Sequence, residues 1–214
     1  TCKKIDDQAS KDSYFFSGYD GDSLAFDPIS EFTNSFLPFF NKLKHSKLEL
    51  RTKSTQIRRL LQHPNCQNII TAFSFTPEKI SQQTEHKVPK FAKRLDAMSK
   101  LAKHGYQIGL RFDPLIYAEN FKELYSDMLQ QIFLNIEEKQ IHSISIGPLR
   151  FPEHMFKKIK NLYPEEQLFS YKLTKVGNLI SYKTEIEQEM SDYLVGQLGK
   201  YVRNSKIFNC MNNG

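Results

Sequence analysis

Leu48-Glu-Leu-Arg-Thr-Lys-Ser54 reads as a short strand, with Leu48 and Leu50 on one face, that stops on a polar and cationic cluster. Ile57-Arg-Arg-Leu-Leu61 then carries a helical pattern. Arg51, Thr52, Lys53 and Ser54 therefore stand where a strand hands over to a helix, the place at which a βα barrel presents groups to a charged ligand. On the N-terminal side, Tyr14-Phe-Phe-Ser17 reads as a strand running into Gly18-Tyr-Asp-Gly-Asp-Ser23, a turn with the Gly and Asp that a tight crossing needs. Asp27-Pro28 opens a helix over 28–44 with Phe32, Phe36, Phe39 and Phe40 as its apolar stripe.

On the C-terminal side the same alternation repeats. A helix over 55–62 leads through His63-Pro64 to a strand over 68–74, and a polar, irregular segment spans 78–88. A helix over 90–104 has Leu95, Met98, Leu101 and Ala102 at helical spacing, with Gly105 as its cap. A strand over 106–112, a helix over 119–138, a strand over 142–146 and a helix over 153–161 follow. The order βαβαβαβαβα predicts an α/β fold with a parallel sheet and right-handed crossovers, either most of a six-stranded partial barrel or an open doubly wound sheet. Then the pattern changes. Leu168-Phe-Ser-Tyr-Lys-Leu173 and Leu179-Ile-Ser-Tyr182 flank a turn and read as a β-hairpin, before a helix over 184–202 and a strand over 206–208. The expected organisation is a linker or truncated loop over 1–13, a partial βα barrel over 14–162, and a hairpin-and-helix extension over 163–214 packed on it.

With 214 residues, 39% hydrophobic and 25% charged, the chain is long enough for one sizeable domain. No apolar run reaches the roughly 20 residues of a membrane span, and no secretory signal opens the chain. Lys+Arg of 30 against Asp+Glu of 24 gives a net charge of +6, and the pI is about 9.1. That excess permits nucleic-acid binding and equally suits a solvated basic surface. Cys2, Cys66 and Cys210 form no CxxC pair, no zinc spacing and no disulfide framework, so a reducing cytoplasm is the expected setting. There is no HExxH, no Gly-rich phosphate loop and no GxSxG elbow.

The strand ends collect Asp20, Asp22 and Ser23; Arg51, Lys53 and Ser54; Ser74 and Thr76; Arg111 and Asp113; and Arg150. Both signs of charge with hydroxyls suit a zwitterionic or phosphate-bearing ligand, lysine as a point charge for a carboxylate and arginine as a bidentate fork. Ser54 and Thr76 serve equally well as helix caps, and His86, in a polar loop, reads first as a solvated residue and second as a substrate contact.

Leu48-Glu-Leu-Arg-Thr-Lys-Ser54, Ala72-Phe-Ser-Phe-Thr-Pro77, Glu85-His86 before Pro89, Arg94-Leu95, Gly105-Tyr106, Gly109-Leu-Arg-Phe-Asp-Pro-Leu-Ile-Tyr117 and Gly147-Pro-Leu-Arg-Phe-Pro152 appear in one order. In that order, from about residue 14 to Cys210, the chain resembles the spore photoproduct lyase family of radical S-adenosylmethionine enzymes. The resemblance implies a partial (β/α)6 TIM-like barrel holding S-adenosylmethionine and a 4Fe–4S cluster. It implies a 5′-deoxyadenosyl radical that abstracts hydrogen from a thymine-dimer lesion in DNA and splits it, with an external electron donor. By the same resemblance Lys53 holds the methionine carboxylate, and Asp22, Ser23, Ser74 and Asp113 line the cofactor site. His86, Arg111, Arg150, Lys172, Tyr182 and Lys183 face the DNA. The protein is expected to be a cytoplasmic monomer with no membrane partner.

Two departures from the family pattern stand in the sequence. The cluster motif CxxxCxxC is absent, so the chain is expected to lack its first βα unit, to provide no metal ligands of its own, and to be inactive alone without that upstream motif. The family's hydrogen-donating cysteine belongs in the turn 18–23, where Tyr19 is the nearest counterpart and a poorer donor. Two alternatives stay open: a non-catalytic basic α/β module that binds nucleic acid, and a radical enzyme of the same fold with another substrate.

Overall fold

The computed structural model of the protein describes residues 1–18, 21–63, 67–170 and 172–210. Its largest sheet has six strands: β1 (Ser13–Ser17), β2 (Ser46–Thr52), β3 (Ile69–Ser74), β4 (Gln107–Leu115), β5 (Ile141–Pro148) and β9 (Ile207–Asn209), in the order β1-β2-β3-β4-β5-β9. The pairs β1–β2, β2–β3, β3–β4 and β5–β9 are parallel. A second sheet has three strands, β6 (Phe151–Pro152), β7 (Thr174–Val176) and β8 (Leu179–Ser181), in the order β6-β8-β7 with antiparallel pairing. Contacts divide the chain into two compact units, one of residues 1–75, 88–111 and 135–143, the other of 76–87, 112–134 and 144–214.

In the first unit the helices are α1 (Cys2–Gln8), α2 (Asp27–Ser30), α3 (Phe32–Phe40), α4 (Arg58–Gln62) and α6 (Phe91–Lys103). Strand β3 is buried along its whole length, and Leu48, Leu50, Ile69, Ile70, Ala72 and Phe73 are core residues. Burial on both faces is what a parallel sheet covered by crossover helices imposes. Helix α6 contributes Phe91, Ala97, Met98, Leu101 and Ala102 to that core, each large aliphatic or aromatic side chain stabilising by about 1.5–3 kcal/mol. Tyr106, also buried, donates its hydroxyl to the Leu60 carbonyl at 2.9 Å.

Two elements of this unit differ from expectation. Residues 2–8 are helical rather than a linker, because the buried Asp6 carboxylate accepts the N–H groups of Lys44 at 3.0 Å and His45 at 2.7 Å. Burial raises that carboxyl, but the two donated N–H groups outweigh it and hold Asp6 below its usual value. The helix over 28–44 is two helices, broken at Glu31, whose φ of 54° is left-handed. Within α3 the buried face is Thr33, Leu37 and Phe40, spaced by four and three residues, while Phe36 and Phe39 lie to its side and remain 39% and 38% exposed.

The second unit holds α5 (Glu78–Thr84), α7 (Phe121–Phe133), α8 (Glu153–Leu162) and α9 (Thr184–Leu198). Helix α7 packs against α9 through Phe121 edge-on to Tyr193 (centroids 5.7 Å) and a 2.6 Å hydrogen bond between Ser126 and Tyr193 hydroxyls. The irregular segment expected over 78–88 is helical from 78 to 84: Glu85 accepts the hydroxyls of Thr76 at 2.9 Å and Ser81 at 2.5 Å, and Ile80 is buried beneath. The strand expected over 168–173 is replaced by a 3-10 turn, Gln167–Ser170, so the hairpin is only β7 and β8. Among the described residues no helix is long and apolar enough to cross a membrane.

Candidate functional site

In the first unit β1, β2 and β3 run parallel, so the residues at and beyond their C-terminal ends emerge along one edge. These are Gly18 and the turn 21–23 after β1, Lys53-Ser54 after β2, and Ser74 as the last residue of β3. Asp22 joins the first two loops. Its Oδ1 accepts the N–H groups of Leu24 and Ala25 at 2.8 Å each and the Thr52 hydroxyl at 2.7 Å. Its Oδ2 accepts the Lys53 N–H at 2.7 Å. Thr52 Oγ1 in turn accepts the Ser54 N–H at 2.8 Å, and Ser54 Oγ accepts the Gln56 N–H at 3.1 Å, so Ser54 is a cap of the following turn.

This network fixes the backbone from which the half-exposed Lys53 side chain projects. Gly18 adopts φ +75°, and a Cβ there would lie 2.6 Å from Ser23 Oγ and 2.7 Å from the Gly21 carbonyl, so only glycine suits the turn. Ser23 Oγ is enclosed and has no hydrogen-bond partner among the described residues. A buried, unspent hydroxyl beside Lys53 is the kind of group that a bound polar ligand satisfies.

Alternation along the strands places Glu49, Arg51, Ser74, Gly109 and Arg111 on one face of the sheet, through the registers Arg51↔Ala72, Ala72↔Gly109 and Ser74↔Arg111. Arg111 does not face DNA, as the sequence reading expected. Strand β4 runs on to Leu115, so Arg111 is at its centre rather than its end, and it is 1% exposed. Its Nε and Nη2 donate to both oxygens of Glu49 at 2.9 and 2.5 Å, and its other donors reach the Leu110 and Ser143 carbonyls and Ser143 Oγ. Every guanidinium N–H is thus spent inside the protein. Arg94, also fully buried, donates to the Ser74 carbonyl at 3.1 Å with its guanidinium 5.8 Å from the Phe75 ring centroid, and so holds the end of β3 in place.

In the second unit Asp113 Oδ2 accepts the Ser145 hydroxyl at 2.6 Å, with Cys210 Sγ at 3.6 Å. Cys210 is held there by its N–H to the Ile146 carbonyl at 2.8 Å, since β9 joins the sheet beside β5. His86 is exposed and lies 2.7 Å from Glu166. Arg150 pairs at 3.0 Å with the buried Glu187, which also receives the Ser181 hydroxyl. Tyr182 is a second correction: it is fully buried, its phenolic oxygen accepting the Tyr117 N–H at 3.0 Å, so it belongs to the core and not to a DNA-facing wedge. Lys172 is exposed, with its ammonium 5.5 Å from the Tyr117 ring centroid, and Lys183 is exposed at the start of α9. Tyr19 lies outside the described residues.

Among the described residues no group of three His, Cys, Asp or Glu side chains is arranged to hold a metal ion, and Cys2 and Cys210 are free thiols. Sequence reasoning passed over Ser145 and gave no separate role to Thr52 or Arg94, whose partners are the Asp22 carboxylate and the Ser74 carbonyl. It also treated Cys210 as ordinary; assigning 207–209 to the sheet would have made it a strand-end residue.

The family model for spore photoproduct lyase matches residues 1–209. The chain belongs to the spore photoproduct lyase family. Similar curated relatives are the spore photoproduct lyase of Geobacillus sp. (strain Y412MC61), 21% identical over 95% of this chain and 56% of its own length, and that of Bacillus subtilis (strain 168), 21% identical over 96% and 63%. The chain thus spans about three fifths of the length of the curated relatives it matches. Among solved structures, a spore photoproduct lyase double mutant with bound AdoMet and dinucleoside spore photoproduct superposes with a TM-score of 0.82 at 19% identity, over 97% of this chain and 63% of that one. A spore photoproduct lyase complexed with dinucleoside spore photoproduct gives the same values. The likeness establishes the fold, the partial TIM-like barrel expected from the sequence, with a small antiparallel sheet added.

Proposed function

We propose that this chain supplies the S-adenosylmethionine site and the lesion-facing surface of a radical S-adenosylmethionine lyase that repairs thymine-dimer lesions in DNA. The observation that carries the reading is the strand-end constellation of the first unit, in which Lys53, the unspent Ser23 hydroxyl and Ser74 share one edge of the sheet. When bound, and given one electron from a donor outside this chain's residues, S-adenosylmethionine would supply a 5′-deoxyadenosyl radical for hydrogen abstraction from the lesion, with methionine as the leaving fragment. Lys53 binds the methionine carboxylate as a point charge, and the Ser23 and Ser74 hydroxyls donate to the same ligand. Asp22 acts through the backbone it pins, setting where Lys53 starts. Asp113, tied to Ser145, is assigned to the same ligand, and exposed His86, Arg150, Lys172 and Lys183 to the nucleic acid. Cytoplasmic, monomeric action with an external electron donor completes the proposal.

The described residues do not fit a 4Fe–4S cluster, for they offer no set of three thiolates. No step is therefore assigned to one through this chain's residues. A non-catalytic nucleic-acid-binding module is the second reading, favoured by the exposed lysines of α8 and the hairpin, Lys157, Lys158, Lys160 and Lys175.

Titration calorimetry with S-adenosylmethionine separates the two. Saturable binding is expected, weakened about 10- to 150-fold by Lys53→Ala, the loss of one charge-assisted hydrogen bond of about 1.5–3 kcal/mol. Absence of binding, or equal binding by the variant, refutes the cofactor assignment. Salt-sensitive DNA binding without cofactor binding would then favour the module.

A further inference from the structure

Where α2 meets α4 and the turn before it, the first unit carries a cleft of about 360 Å³, lined by Asp27, Pro28, Gln56, Arg58, Arg59 and Gln62. Its walls are fixed. Arg59 donates to the Pro28 carbonyl at 3.2 Å and to Glu31 at 3.0 Å, and its Nε lies 3.7 Å from Asp27. Asp27 is buried and accepts the Thr33 N–H and hydroxyl at 2.9 and 2.7 Å, so its charge is satisfied within the wall. Arg58 is exposed and, unlike the other exposed arginines Arg150 and Arg203, has no partner among the described residues. The side-chain amides of Gln56 and Gln62, both exposed, likewise have no hydrogen-bond partner among the described residues. Three unspent donor groups, one of them cationic, therefore converge on a preformed cleft with no free anion.

We infer that this cleft binds a phosphodiester of the nucleic-acid strand that carries the lesion, with Arg58 as the charged contact and Gln56 and Gln62 as neutral donors. The guanidinium fork matches a phosphate bidentately, and the cleft is larger than a lone phosphate needs, leaving room for the attached sugar. Arg58 follows Lys53 by five residues, a span of at most about 18 Å of chain, and so of at most about five nucleotides at 3.4 Å per residue of one strand. The inference rests on the DNA-repair reading above and adds a strand-backbone contact outside the cofactor site.

A dinucleoside lesion has no phosphate, so comparing it with a lesion-bearing oligonucleotide isolates the contact. Affinities for both are measured over a range of salt concentrations for the chain and for Arg58→Gln, with Arg58→Lys retaining the charge. The expected result is a slope of log K against log salt that is about 0.7–0.9 smaller for Arg58→Gln with the oligonucleotide, near wild type for Arg58→Lys, and no change with the dinucleoside. An unchanged slope overturns the cleft while leaving the function standing, and so does equal loss for both ligands. Saturable binding of inorganic phosphate alone at millimolar concentration would overturn the strand as its source. If the wild-type chain binds neither lesion ligand, the proposed function itself falls.

Discussion

Replacing Arg111 by Met keeps the volume of the side chain and removes its charge from the centre of β4. Glu49, 3% exposed, then loses both hydrogen bonds at 2.9 and 2.5 Å. Arg51 is its remaining cationic neighbour, at 3.6 Å, too long for a hydrogen bond. A buried ion pair deprived of one member costs about 3–5 kcal/mol, because the survivor stays desolvated. Total stability of a domain is only about 5–15 kcal/mol, so the variant should be folded but weakened. With a urea m-value of about 2.5 kcal/mol/M, the midpoint should fall by about 1.2–2 M. The double variant Arg111→Met with Glu49→Leu removes both charges and should recover most of the loss, since apolar replacement of a whole buried pair is commonly neutral or stabilising. Urea unfolding followed by circular dichroism on the two single variants and the double variant gives the coupling energy directly. Single variants within about 1 kcal/mol of wild type, or a double variant as weak as the sum of the singles, would refute the assignment of Arg111 to structure and return it to the list of ligand contacts.

Asp22→Ala removes four hydrogen bonds to a carboxylate and should both destabilise by about 3 kcal/mol and weaken S-adenosylmethionine binding; Asp22→Asn, which keeps the shape, should recover part of each in calorimetry. Gly18→Ala forces an L side chain into φ +75° against Gly21 and Ser23, and a loss of about 1–3 kcal/mol is expected in thermal unfolding. Glu153 lies between Lys157 at 2.7 Å and Lys175 at 2.6 Å, and the two ammonium groups pull its carboxyl from 4.5 down to about 2. Because the folded value is the lower one, its stabilisation is present above about pH 4.5 and is lost as the pH falls towards 2. Carboxyl NMR titration should place the midpoint near the lower value, and Lys157→Met with Lys175→Met should return it to the ordinary one.

The parallel sheet was legible because each strand is a short apolar run closed by a polar turn, and α6 because Met98 and Leu101 recur at helical spacing before Gly105. Elements held by distant partners were not. Helix α1 depends on Asp6 meeting backbone donors 38 and 39 residues away; α5 escaped for another reason, since Glu85 closes on the nearby Thr76 and Ser81 and the short polar segment carries only Ile80 as a buried apolar residue. At the candidate site, Lys53, Ser74 and the turn 21–23 could be read from their places after strands. Arg111 and Tyr182 could not: a cation near a strand end and an aromatic in a hairpin look alike in sequence whether they meet a ligand or a buried partner. Glu49 lies 62 residues from Arg111, and only the register of β2, β3 and β4 brings them to one face.

Gly109 stands beside that pair, and a Cβ there would come within 2.9 Å of both Arg111 Nη2 and Ala72 Cβ. The position is empty because the Ala72 methyl group and the guanidinium, folded back towards Glu49, both take the space that a Cβ would need. The order in which these residues could change is therefore constrained. A side chain at position 109 is shut out while the arginine is present, and the arginine cannot leave while Glu49 is charged without a heavy loss of stability. Randomised libraries should yield substitutions at Gly109 chiefly in backgrounds where Ala72 has become glycine and Glu49 and Arg111 have already become apolar, so that Gly109, the least conspicuous of these positions, is the last to be released.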